Sequence, residues 1–135
     1  MSSVSKIPIV ISIEGKDHVQ ANIFRHLAPI TINSIIRGIP LEGRVIRNGD
    51  VFIYFQTRLR VGQEKPKSHF KKGDIAFLPI TSSIFFFLKD AKMKSPMNLV
   101  GKVTINTSLL EGAKSGCILK VYLDESPSYV NDSAN

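Results

Sequence analysis

The sequence predicts a mainly β protein: an eight-stranded closed barrel with two short capping helices. Three observations carry that expectation. Eight short runs rich in β-branched and aromatic residues recur along the chain, each bounded by turn residues. Only two stretches switch to helical spacing. The 135 residues, 43% hydrophobic and 21% charged, suit one globular domain with one core. That domain is expected over 1–135, with its core at about 7–123 and a flexible polar tail at 124–135.

The elements follow in order. Ile7, Ile9, Ile11 and Ile13 alternate with Pro8, Val10, Ser12 and Glu14, the pattern of a strand with one buried face. Gly15-Lys16-Asp17 supplies a turn, and Val19, Ala21 and Ile23 continue the alternation in a second strand. The period then lengthens. Ile32, Ile35, Ile36 and Ile39 form one helical stripe, opened by Pro29 and stopped by Gly38 and Pro40. Its β-branched content is poor for an isolated helix, so packing must hold it.

Gly43–Arg47 and Val51–Thr57 flank Asn48-Gly49-Asp50, a hairpin signal. Arg58 to Gly73 reads as a long polar excursion. Ile75–Leu78 and Ile84–Lys89 are strands on either side of Pro79, and 90–96 is a lysine-rich loop. Leu99–Ile105 is a strand containing Gly101. Ser108 and Glu111 match a capping box for a second helix, closed by Gly116. Cys117, Leu119, Val121 and Leu123 alternate in the last strand, with Cys117 on the inward side.

Composition narrows the function classes. A single cysteine excludes an intramolecular disulfide and fits a reducing interior. The apolar run at 7–13 is too short for a membrane span and follows no charged leader, so a cytoplasmic protein without a membrane partner is expected. No Walker A loop, dinucleotide glycine fingerprint or Gly-x-Ser-x-Gly elbow occurs. His18, His26 and His69 are scattered without ligand spacing, so neither a metal nor a cofactor is expected.

The net charge of +7 is local. Arg58, Arg60, Lys65, Lys67, Lys71 and Lys72 face Glu64 alone within the excursion, and Lys89, Lys92 and Lys94 surround Asp90. Nucleic-acid binding through the first six is one reading, resting on phosphate contacts with Phe70 available for stacking. Loops that keep a Phe-rich barrel soluble are the other.

Several phrases resemble the cyclophilin fold. These are Phe24–Ser34 (FRHLAPITINS), Gly73–Leu88 (GDIAFLPITSSIFFFL) and Leu99–Val103 (LVGKV), with 108–116 in place of the helix that follows. Gly73-Asp74, Pro79, Phe86-Phe87 and Val100-Gly101-Lys102-Val103 are most similar to the small, largely uncharacterised prokaryotic cyclophilin-like proteins. The resemblance spans about 7–123 and implies a barrel capped by two helices.

It also implies where a ligand groove would lie. The family's isomerases use an arginine beside an apolar pocket, with phenylalanine, methionine and glutamine on the next strand. Arg44 matches the arginine, Phe52 and Gln56 the following strand, and Phe86 the second phenylalanine. The glutamine of that later strand falls on Ile84, the pocket histidine on Met97, and the pocket tryptophan has no counterpart. The expectation is therefore a binding module for a small molecule or peptide segment at Arg44, Phe52, Gln56, Phe86 and Met97, without conventional prolyl isomerase activity. A residual isomerase and nucleic-acid binding are the alternatives. Read without the resemblance, Arg44 is first a solvated strand residue or an ion-pair partner of Glu42 or Asp50, and only then a ligand-groove residue. Phe52, Tyr54 and Gln56 share one strand face opposite Val51, Ile53 and Phe55, so one face fills the barrel and the other lines a pocket or packs under a covering segment.

Overall fold

A computed structural model describes residues 5–125. The order is β1 (Lys6–Ile13), β2 (His18–Phe24), α1 (Pro29–Gly38), β3 (Leu41–Arg44), β4 (Ile46–Asn48), β5 (Phe52–Gln56), β6 (Lys67–Phe70), β7 (Asp74–Leu78), β8 (Ser83–Phe87), β9 (Ala91–Ile105), α2 (Thr107–Glu111) and β10 (Ile118–Leu123). Among the described residues no helix is long and apolar enough to cross a membrane. The tail expected at 124–135 lies outside the described residues except for Asp124 and Glu125.

All ladders are antiparallel, and hydrogen-bonded neighbours run β3-β10-β1-β2-β9-β7-β8-β5-β4, with β6 attached to β9 off this path. The expectation of a closed eight-stranded barrel is corrected here: the sheet has ten strands, and its hydrogen-bonded path does not close. Its two ends, β3 and β4, are consecutive pieces of chain joined through Val45. The Val45 amide donates to the Cys117 carbonyl at 2.9 Å, and its carbonyl accepts from the Gly116 amide at 2.8 Å. Both polar groups of Val45 therefore leave the β5 side, which splits the run read as one strand at Gly43–Arg47. Gly43 lets β3 pack on β5 without a ladder, since a Cβ there would stand 2.8 Å from the Phe55 ring and 3.2 Å from the Gln56 carbonyl.

Two more corrections concern basic segments. Lys67–Phe70, inside the polar excursion, is strand β6, and Ala91–Pro96, read as a loop, is the first part of β9. The strand alternation is present in both, with Lys67, His69, Lys92 and Lys94 exposed and Phe70 buried. Lysine composition masks it, because lysine has low β-propensity. The capping box is the last correction. Asn106, left-handed at φ 66°, precedes α2 and makes no side-chain cap; its Nδ2 donates to the His18 carbonyl at 2.9 Å. Glu111 pairs instead with Lys72 at 3.3 Å. Gly116 lies in the turn before β10, beyond the end of the helix.

Alternation along the strands builds two cores. The inner one holds Ile9, Ile11, Ile53, Phe55, Phe77 and Phe86 among others, closed by Ile32 and Ile35 of α1 and Leu110 of α2. That packing holds α1 despite its β-branched sequence. The outer one gathers Phe52, Ala76, Phe85 and Phe87 from the opposite face of β5, β7 and β8. Phe70 and Met97, from β6 and β9, cover it. Both faces of β8 are thus apolar because both are buried, and the aromatic face of β5 packs under a two-stranded ribbon.

Candidate functional site

The outer core is not fully roofed. Where the β6–β9 ribbon stops, a depression of about 410 Å³ opens over β5 and β8, lined in part by Ile46, Arg47, Phe52, Tyr54, Phe85 and Met93. Its floor follows from register. Tyr54 and Phe85 are opposed residues of paired strands, which puts their side chains on one face. Their rings stack with centroids 4.5 Å apart and 6° between planes. Phe52 packs against Phe85 at 5.0 Å. Phe70 and Phe87 stack at 4.7 Å farther under the ribbon.

Leu78 of β7 and Met93 of β9 form one wall, and the 46–49 hairpin forms the other. Arg47 anchors that hairpin. Its Nε donates to the Gly49 carbonyl and its Nη1 to the Ala113 carbonyl, each at 2.7 Å, while Ser115 Oγ accepts from its main-chain amide at 3.0 Å. Arg47 is the charged side chain in the lining, which contains no carboxylate. The site can therefore offer an aromatic platform with one cation at its rim, a combination suited to planar, uncharged or anionic groups.

The five residues expected to form one site are distributed between places. Phe52 lines the depression as part of the outer core, and Met97 is buried in that core under the ribbon. Phe86 points inward to the main core, paired with Ile53 and Ile75. Gln56 is exposed at the end of β5, its Nε2 donating to the Thr81 carbonyl at 3.2 Å. Arg44 is exposed on β3, its Nη1 donating to the Gly116 carbonyl at 2.8 Å. The residues not anticipated are Phe85, Arg47 and Met93. Alternation holds the signal for Phe85: adjacent residues on a strand face opposite ways, so Phe85 and Phe86 cannot both face the groove.

The six basic residues of the excursion are likewise dispersed. Arg58 lies beside Gln56 in a separate depression of about 580 Å³ near the end of α1. Lys65 Nζ donates to the His26 carbonyl at 2.9 Å. Lys72 pairs with Glu111, Lys67 is on β6, and Arg60 and Lys71 are exposed. None of these residues lines the aromatic depression.

Two carboxylates are perturbed, and neither lies in the depression's lining. The Lys89 ammonium, 2.6 Å from Asp50, holds that carboxyl below its ordinary range. Burial pushes Glu64 up, but hydrogen bonds from the Ile30 and Thr31 amides and the Thr31 hydroxyl outweigh it, and the net direction is down. Among the described residues, no group of three or more His, Cys, Asp and Glu side chains is placed to hold a metal ion.

An open-seamed antiparallel barrel with two capping helices and an aromatic outer face is the architecture of a cyclophilin-like protein. The chain belongs to the cyclophilin-like family, whose model matches residues 6–122. A hypothetical protein of Archaeoglobus fulgidus, solved in solution, is similar over 89% of this chain and 96% of its own, with 24% identity and a TM-score of 0.74. McbB in complex with tryptophan is similar over 88% of this chain and 45% of its own, with 13% identity and a TM-score of 0.74. The cyclophilin of Mimivirus is similar over 92% of this chain and 93% of its own, with 14% identity and a TM-score of 0.58. No curated protein matches the chain.

Proposed function

We propose that the protein is a binding module that takes a small planar molecule, or a peptide segment bearing a flat side chain, on the Tyr54–Phe85 platform. The observation that carries this reading is a stacked aromatic pair at the floor of an open depression whose rings are already packed against Phe52 and Phe87. A platform fixed before binding loses little side-chain entropy when a ligand arrives. The Tyr54 hydroxyl, without a protein partner among the described residues, is a ready donor or acceptor.

The same geometry supports a role without conventional prolyl isomerisation. The groups expected for that chemistry are divided, with Phe86 inside the barrel and the Arg44 guanidinium bonded to a main-chain carbonyl. Ligand-observed and amide-shift NMR with planar fragments (indole, benzoate, purine) and proline-containing tetrapeptides tests the reading. Shifts are expected at Tyr54, Thr81 and Met93, with affinity falling at least tenfold in Tyr54→Ala. Shifts confined to another surface, or none at millimolar fragment, overturn it. A protease-coupled assay on the tetrapeptide is expected to give no rate above the uncatalysed one; a rate abolished by Arg44→Ala overturns that half.

A further inference from the structure

We propose that the outward face of the β6–β9 ribbon is a contact surface for single-stranded nucleic acid, held through its phosphates. The ribbon has two chemically opposite faces. Phe70 and Met97 face in, onto the outer core, with Ala91 and Met93 packed beside them. Lys67, His69, Lys92 and Lys94 are exposed, and His69 is directly opposite Lys92 in the ladder. The sequence separates Lys67 and His69 from Lys92 and Lys94 by more than twenty positions, and the antiparallel pairing of β6 with β9 brings the two pairs together.

Neighbouring carboxylates are occupied elsewhere. Asp50 pairs with Lys89, Glu111 with Lys72, Asp74 accepts from the Lys71 amide and Asp90 from the Lys72 amide. Among the described residues, Lys67, Lys92 and Lys94 make no ion pair. Alternate residues of a strand lie about 6.6 Å apart, which separates Lys92 from Lys94. Lys67 lies across a register shift from the His69–Lys92 pair, opposite Met97, so the lysines form a spread row of separate charges rather than one cage for a single anion. A row suits a partner whose charge repeats, and phosphate contacts of this kind need no concavity.

Two features favour nucleic acid over an anionic membrane. Among the described residues, none of the large exposed hydrophobics (Ile30, Ile46, Ile80, Ile105) belongs to the paired segments 67–70 and 91–97. Ile80 comes nearest, beside Ser95 and Pro96, and one such side chain adds little apolar area to a lipid contact. The His69 ring stands among the lysines, where it can stack on an unpaired base.

Fluorescence anisotropy of the full chain with a labelled 20-nucleotide single-stranded DNA between 50 and 200 mM salt tests the proposal. Three lysine contacts predict that log Kd rises by about 2 per tenfold increase in salt, at about 0.7 per phosphate on a single strand. Lys67→Ala/Lys92→Ala/Lys94→Ala is expected to weaken binding at least tenfold at 50 mM salt. The charge-matched control Lys16→Ala/Lys102→Ala/Lys114→Ala is expected to change it less than twofold. Circular dichroism checks that both variants fold. Absence of binding at 50 mM salt, equal loss in the control, or equally tight binding of phosphatidylserine vesicles through the same lysines overturns the proposal.

Discussion

The main-chain amide of Glu64 donates to the side-chain carbonyl of Asn98 at 2.8 Å, and the two residues meet again through Thr31. Asn98 Nδ2 donates to Thr31 Oγ1 at 3.0 Å, and that hydroxyl donates to Glu64 Oε1 at 2.8 Å, closing a ring of hydrogen bonds. Asn98 is fully buried and its amide also donates to the Gly62 carbonyl at 3.0 Å, so its polar atoms are matched. The ring fastens the basic excursion to the start of α1, where Ala28 provides no side-chain cap and the Glu64 carboxylate takes the Ile30 and Thr31 amides instead.

Glu64→Gln removes the charge from this cap and is expected to destabilise the fold by about 1 kcal/mol at pH 7. The folded carboxyl ionises below its ordinary value of 4.5. Its charge-dependent stabilisation is therefore complete above that pH and is lost as pH falls through the lower folded value. Urea unfolding of both proteins at pH 7 and pH 3 should show the gap closing in acid. A gap of equal size at both pH values contradicts the assignment.

Gly101→Ala tests the crossing of β9 and β2. A Cβ at this position would lie 2.1 Å from the Asn22 carbonyl oxygen and 2.8 Å from the Ile23 Cα, both main-chain atoms. Separating the strands should cost about 1–3 kcal/mol or more, read as a lower denaturation midpoint. Gly62→Ala is the control: nothing lies within 4 Å of the added carbon, and a change within about 0.5 kcal/mol is expected.

Phe87→Ala tests whether the outer face of the sheet is true core. Phe87 is fully buried and stacks on Phe70 at 4.7 Å. Truncation should cost about 3–5 kcal/mol, comparable to Phe55→Ala in the barrel interior. Amide exchange in β6 should accelerate as well, since the ribbon loses its underside. A loss under about 1 kcal/mol would mean that the ribbon covers the sheet without packing on it.

The inner barrel was legible in the sequence because its alternation is regular. Ile7–Ile13, His18–Phe24 and Leu119–Leu123 carry one buried face each, and that face is buried. The helical stripe of Ile32 and Ile35 was legible for the same reason. The ribbon was not, because its polar face is lysine and reads as loop. The aromatic platform was only half legible. Phe52 and Tyr54 stand out on β5, but the family resemblance points to Phe86 as the groove residue, one position from Phe85, and a one-residue displacement on a strand exchanges outside for inside. Arg47 was hidden by the hairpin, since its partners at Ala113 and Ser115 lie more than sixty positions away.

Val45 gives the sheet a property that no ladder could. Because β3 and β4 are one piece of chain, the alignment of β3 on β10 and that of β4 on β5 are a single variable. Sliding either end by one residue would drag the other, turning Leu41 and Ile46 to the wrong sides together. The seam thus acts as a gauge, measuring the circumference of the barrel against a fixed length of backbone.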